Sequence, residues 1–261
     1  MQLVVEFVGD KEVVLPLEHN HLLQAAIYYQ IEQPALRNFL HEQGFILGKR
    51  RFKLFVFSRL MGKFKIDGEK QEIIFTLPCR LVICSPLPVV MEEMAKGLLR
   101  QGQICLGRNR LMVESVQVRS TTVTQGCITV RMLSPLTVYS TFDGAGKSFT
   151  YYYSPFEPRF SELVRENLAK KYQIVFGCPA RITNFGLTPI DVRERDFKVV
   201  RYKGTIVKGW MGKYRLTGDP KFLEIALSAG LGSKNSQGFG CCELVEEKES
   251  KSTDSYRAMG W

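Results

Sequence analysis

Histidine is scarce in this 261-residue chain: His19, His21 and His41 are all it has. The seven cysteines are an odd number and include no CxxC; Cys79 and Cys84 are separated by four residues, and Cys241 and Cys242 are adjacent. Neither zinc-knuckle spacing nor a disulfide framework is present, so reduced, mostly buried thiols are expected, with no metal and no other cofactor. No run of residues approaches the ~18 apolar positions of a membrane span. The opening stretch MQLVVEFVGDKEVV reaches Glu6 and Asp10 too early for the basic-then-apolar order of a signal peptide, so a cytoplasmic location without membrane contact is expected. Acidic residues are also in deficit, at 26 against 36 Lys and Arg, a net charge of +10.

What is present is a globular composition, 45% hydrophobic and 24% charged, which excludes disorder as the main state. The charge excess calls for an acidic partner, and nucleic acid is the commonest one. Between Gly48 and Ile66 stand Lys49, Arg50, Arg51, Lys53, Arg59, Lys63 and Lys65 without one acid, interleaved with Phe52, Phe55, Phe57 and Phe64. Such a stripe can grip phosphates while its rings either pack inward or stack on bases. A weaker basic region runs from Arg193 to Arg215. The final residues, 247–261, lose apolar periodicity and read as a polar tail.

Hydrophobic spacing predicts an α+β chain in which the order β-α-β-β-α-β occurs twice, as tandem ferredoxin-like (RRM-like) domains over 1–122 and 123–246. In the first, strands are expected at Gln2 to Val8, Arg51 to Ser58, Gln71 to Leu77 and Arg110 to Val118. Helices should open at Asn20, as N-cap, at Pro34, and at Pro88. In the second, strands are expected at Cys127 to Leu133, Ala180 to Leu187, Phe197 to Lys208 and Phe239 to Val245. Helices are expected after Pro155 and Asp219-Pro220, with an extra hairpin from Pro135 to Tyr153.

Two glycine clusters carry different weight. The segment 144–148 ends like a P-loop, but the first glycine of GxxxxGK[ST] would fall on Thr141, and strand formers follow where a helix is required. It reads as a hairpin tip. The segment Gly230-Leu231-Gly232-Ser233-Lys234-Asn235-Ser236-Gln237-Gly238-Phe239-Gly240 has the form G-h-G-x5-G-h-G, and its backbone N–H groups could converge on phosphate with Lys234 adding charge.

With that loop near the C-terminus of tandem ferredoxin-like domains, the chain resembles the CRISPR repeat-processing endoribonucleases of the RAMP superfamily. Further likeness lies in Leu15-Pro16-Leu17, in the helix start Asn20-His21-Leu22-Leu23-Gln24 with Ile27-Tyr28, in Phe39-Leu40-His41-Glu42, and in Lys53-Leu54-Phe55. The resemblance implies binding of CRISPR repeat RNA and cleavage of the precursor within each repeat. No metal would take part: the 2′-OH attacks phosphorus, leaving a 2′,3′-cyclic phosphate and a 5′-hydroxyl. It implies His41 as the catalytic imidazole, Tyr28 beside it for positioning, and Lys53 as the cation.

The stretch from His41 to Lys53 carries extra residues, Gly44 to Gly48, so Lys49 stands as an alternative to Lys53. RNA contacts are expected from Lys49, Arg50, Arg51, Arg59 and Lys63, and from Gly230, Gly232, Lys234, Asn235, Gly238 and Gly240. Other CRISPR effector subunits and a second copy of the chain are further expected partners. The alternative reading is a non-catalytic RAMP-type subunit that only holds RNA; His41, Tyr28 and a nearby lysine together argue for the enzyme.

Overall fold

The computed structural model describes residues 1–144, 147–180 and 184–245. Strand β1 (Gln2–Val8) turns Leu3, Val5 and Phe7 to one face, and β2 (Val13–Pro16) follows. Helix α1 (Asn20–Tyr29) buries Leu23, Ala26 and Ile27 against that face. Helix α2 (Pro34–Asn38) runs into a widened turn, Phe39–Gln43, that buries Leu40. The short pair β3 (Phe45–Leu47) and β4 (Arg50–Phe52) comes next, followed by β5 (Val56–Phe57), β6 (Met61–Asp67) and the long β7 (Glu72–Cys84). Helix α3 (Pro88–Gln101) and the hairpin β8 (Gln103–Leu106) and β9 (Asn109–Arg119) complete this half.

All pairings in the first sheet are antiparallel, with β1 between β9 and β7, and with β5, β6 and β2 also on β7. The core order is therefore that of a ferredoxin-like sheet, with α1 and α3 packed on one face through Val90, Met91, Met94 and Leu98.

The second half repeats the plan. Strand β10 (Cys127–Met132) leads into the ribbon β11 (Tyr139–Gly144) and β12 (Lys147–Tyr152), then α4 (Pro158–Phe176) and β13 (Gly186–Asp191). A second ribbon, β14 (Phe197–Tyr202) and β15 (Thr205–Trp210), precedes β16 (Lys213–Thr217), α5 (Pro220–Ala229) and β17 (Cys242–Leu244). The sheet order is β13-β16-β10-β17, again ferredoxin-like. No helix among the described residues is long and apolar enough to cross a membrane.

Three expectations are corrected. The strand expected over Arg51 to Ser58 is broken into β4 and β5 because Leu54 takes a positive φ of 51°. Phe197 to Lys208 is not a sheet strand; its residues pair with each other as β14 and β15, and β16 fills the third place in the sheet. Asn20 does not cap α1, since its amide donates to Gln237 O at 3.0 Å, 217 residues away. The tail, 247–261, and part of the expected 180–187 strand lie outside the described residues.

The two halves share hydrophobic interior. Phe52 and Leu54, which flank Lys53, are buried in the second half's core with Met132, Leu136 and Leu231, not in their own. Ser134 Oγ donates to Phe57 O at 3.1 Å, and Arg59 N donates to Leu133 O at 3.1 Å, which lashes β5 to the chain leaving β10.

Candidate functional site

His41 sits in the turn Phe39–Gln43, where Gly44 N donates to Phe39 O at 2.6 Å, an i→i+5 bond. Widened turns of this kind recur at functional sites because they push one side chain out of helical register. Gly44 ends the turn with φ +66°, and a Cβ there would lie 2.6 Å from Phe52 O, so only glycine lets the β3–β4 pair close against it. That closure brings Lys53 back to the turn: its Nζ donates to His41 O at 2.7 Å. Arg51 donates to Glu42 O at 3.4 Å, so two cations face the carbonyl end of the turn.

The imidazole is exposed and held on two sides. Its Nδ1 is 2.6 Å from Glu42 Oε1, and its ring meets Tyr28 edge-on at 5.0 Å between centroids. A carboxylate on Nδ1 favours the tautomer with its proton there and leaves Nε2 as the acceptor. Tyr28 is buried, donates to Leu40 O at 3.3 Å and packs on Phe55 at 5.3 Å. Burial raises its proton affinity far above the ordinary phenol value, which keeps the hydroxyl protonated beside the histidine. Partial burial, and then the neighbouring Arg51, lower that of Lys53.

A groove runs from these residues across to the second half, lined among others by Arg50, Arg51, Lys53, Lys234 and Asn235. Its far wall is the glycine-rich segment. Ser233 to Gln237 are partly exposed, whereas all four glycines are buried. A Cβ on Gly240 (φ +78°) would lie 1.9 Å from Leu231 O, so the segment folds back on itself closer than any other residue permits. Asn235 clips the fold by donating to Leu231 O at 2.9 Å and Phe239 O at 3.0 Å. Lys234 projects over the Tyr139 ring at 5.4 Å.

Of the amides expected to converge on phosphate, five are engaged within the protein. The N–H groups of Leu231, Ser233, Gln237, Gly238 and Gly240 donate to Gly240 O, Thr137 O, Lys234 O, Asn235 O and Pro135 O. The glycines shape the wall; Lys234 and Asn235 present it. Beneath them Lys171 of α4, 2% exposed, donates to Gly230 O at 2.6 Å and to Gly232 O at 3.3 Å. Complete burial lowers its pKa to about 7.

The family model "CRISPR-associated protein Cas6, N-terminal" matches residues 14–117, and "CRISPR associated protein Cas6, C-terminal" matches 117–244. The chain belongs to the Cas6 family. It is 27% identical over 263 aligned residues to CRISPR-associated endoribonuclease Cas6 1 of Methanocaldococcus jannaschii, covering 96% of this chain and 95% of that one. It is 26% identical to CRISPR-associated endoribonuclease Cas6 of Pyrococcus furiosus, covering 94% and 89%. A solved structure described as CRISPR associated protein Cas6 superposes with a TM-score of 0.75 at 26% identity, over 94% of this chain and 99% of that one.

In this Cas6 chain the expected site residues divide into two groups. His41, Tyr28, Lys53, Arg50, Arg51, Lys234 and Asn235 come together at the turn and the groove. Lys49 is at the tip of the β3–β4 pair, whose register is Phe45↔Phe52, Ile46↔Arg51 and Leu47↔Arg50, about four residues or ~13 Å of strand from Lys53. Arg59 and Lys63 do not line the groove; Lys63 is on β6, opposite Thr76. Phe52, Phe55 and Phe57 are buried and unavailable for stacking on bases.

Sequence reasoning missed Glu42 as the partner of His41 and Lys171 as the prop of the glycine segment. The second had a visible signal: Lys171 and Asn167 fall on the helical stripe of Phe160, Val164 and Leu168, where buried polar side chains need a purpose.

Proposed function

We propose that this protein is a cytoplasmic endoribonuclease that binds CRISPR repeat RNA in the groove and cuts the precursor once per repeat, without a metal. Family membership and the two endoribonuclease relatives support the processing role. The observation that carries the residue assignment is the contact of Lys53 Nζ with His41 O at 2.7 Å, beside an imidazole whose Nδ1 is taken by Glu42. A subunit that only held RNA would have no need of that arrangement.

In this reading His41 Nε2 removes the proton from the 2′-OH, and the oxygen bonds to the adjacent phosphorus. The bond from phosphorus to the 5′-oxygen breaks, leaving a 2′,3′-cyclic phosphate and a 5′-hydroxyl. Lys53 stands against the oxygens that gain charge and, with its proton affinity lowered, supplies the proton to the 5′-oxygen. It is held for this by Phe52 and Leu54, both fixed in the second core, which makes Lys53 better positioned than the hairpin-tip Lys49.

The direct test is incubation of the purified chain with repeat RNA in excess EDTA, followed by end-group analysis. Cyclic phosphate and 5′-hydroxyl ends are expected, and a repeat with a 2′-deoxy sugar at the cut position should bind and survive. Cleavage that requires added divalent ion, or that proceeds on the deoxy repeat, would overturn the mechanism. Lys53→Ala should slow the cutting step roughly 10²–10³-fold at saturating RNA. Lys49→Ala should leave that step unchanged and weaken only affinity; the reverse outcome would move the catalytic amine to Lys49.

A further inference from the structure

The β11–β12 ribbon carries a feature that the cleavage chemistry leaves unused. Its register, with Phe142↔Phe149 and Ser140↔Tyr151, puts Phe142, Phe149 and Tyr151 on one face. They are 53%, 62% and 40% exposed, too open for a core role. The opposite face is the anchored one. There Tyr139 lies under Lys234, Tyr152 donates to Ile206 O at 2.9 Å, and Asp143 accepts from Ser148 Oγ at 2.6 Å.

Three residues of the ribbon line the basic groove, Ser140 from the open face and Tyr139 and Thr141 from the anchored one, so the open face meets the groove at Ser140. Ser140 lines that groove and accepts from Tyr153 OH at 3.2 Å, and the Tyr153 ring packs edge-on against Tyr151 at 4.8 Å. Tyr151 is pinned further by its hydroxyl, which donates to Glu157 at 3.1 Å.

We infer that this aromatic face is a stacking shelf for unpaired bases of the RNA strand where it leaves the groove between Lys53 and Lys234. The inference rests on the RNA-processing reading above. Three observations favour RNA over a protein partner. The apolar side chains of the exposed face are aromatic, with no Leu, Ile or Val among the described ribbon residues. Its acid, Asp143, points to the other face. Through Ser140 the shelf also adjoins a groove whose charged lining residues are Arg50, Arg51, Lys53 and Lys234. Alternate residues of a strand are about 6.7 Å apart, twice the ~3.4 Å rise of stacked bases, so Phe149 and Tyr151 are spaced to take one base between them.

The test uses the full chain and repeat RNAs carrying 2-aminopurine at single positions. The parent should quench the probe at one or more unpaired positions. Phe142→Ser/Phe149→Ser should abolish that quenching and weaken binding about tenfold to a hundredfold. The cutting rate at saturating RNA should stay unchanged, and Phe142→Tyr/Phe149→Tyr should restore both quenching and affinity.

Unchanged quenching and affinity in the serine variant would overturn the shelf while leaving the endoribonuclease reading standing. So would a shift from dimer to monomer in that variant with RNA affinity unchanged, which would assign the face to a second copy of the chain. A parent that neither binds nor cuts repeat RNA would overturn both readings.

Discussion

His41→Ala is expected to slow cleavage of bound repeat RNA by roughly 10²–10⁴-fold, with the dissociation constant changed by less than about threefold. The separation follows from geometry. The imidazole is exposed, its backbone carbonyl is what Lys53 binds, and alanine keeps that carbonyl. Loss of the ring removes the proposed proton acceptor while Lys53 and the groove residues keep their places. The measurement is single-turnover cleavage at saturating protein beside equilibrium binding of an uncleavable 2′-deoxy repeat. Equal losses in both would mean that His41 binds RNA, and no loss in either would remove it from the chemistry. Glu42→Gln makes the companion case: with the carboxylate gone from Nδ1, the rate should fall by a smaller factor, on the order of tenfold.

Lys171→Met should have the largest effect on stability. Two buried carbonyls, of Gly230 and Gly232, lose their donor, at about 1–3 kcal/mol each, less what is regained by no longer burying an amine. For a chain of this size a net loss of ~2–4 kcal/mol lowers the melting temperature by roughly 4–12 °C. RNA affinity should fall with it, because Lys234 and Asn235 are mounted on the segment those carbonyls belong to.

The pH dependence has a definite sign. The folded-state pKa of Lys171, about 7, is below the ordinary 10.5 of the unfolded chain, so between those values the unfolded state binds more protons. This contribution to stability is full above 10.5 and is lost as pH falls toward 7. The destabilisation caused by Lys171→Met should therefore grow from pH 7 to pH 10, read as the difference between parent and variant midpoints in urea. A difference flat across that range would show that the amine is solvated.

The ferredoxin-like order was legible because each core element carries its own periodicity. Leu3, Val5 and Phe7 alternate, and Met91, Met94 and Leu98 repeat at helical spacing. The strand assigned to Phe197 through Lys208 failed for a local reason. Alternation of Phe197, Val199 and Arg201 describes a two-stranded ribbon as well as a sheet strand, and the turn at Lys203-Gly204, both at positive φ, lies inside the span. His41 and Lys53 could be matched to a family pattern, but their contact depends on Gly44 closing over Phe52, a backbone approach that no side-chain pattern encodes. The glycine segment was legible as a pattern but not in its contacts. Its spacing suggested open amides, whereas five of them are engaged, and a Cβ would meet Leu231 O at Gly240, Thr137 O at Gly232, and the Asn20 amide and Phe57 ring at Gly238.

The burial of Phe52 and Leu54 in the second half has a consequence for timing during synthesis. Domains emerge and fold from the N-terminus at about 5–20 residues per second. Leu231 and Met132, against which these two residues pack, are added after the whole first sheet. A nascent chain that has finished its first half therefore lacks the packing partners of Phe52 and Leu54, and under the proposed chemistry Lys53 is fixed beside His41 only when the last helix and its glycine segment have emerged from the ribosome.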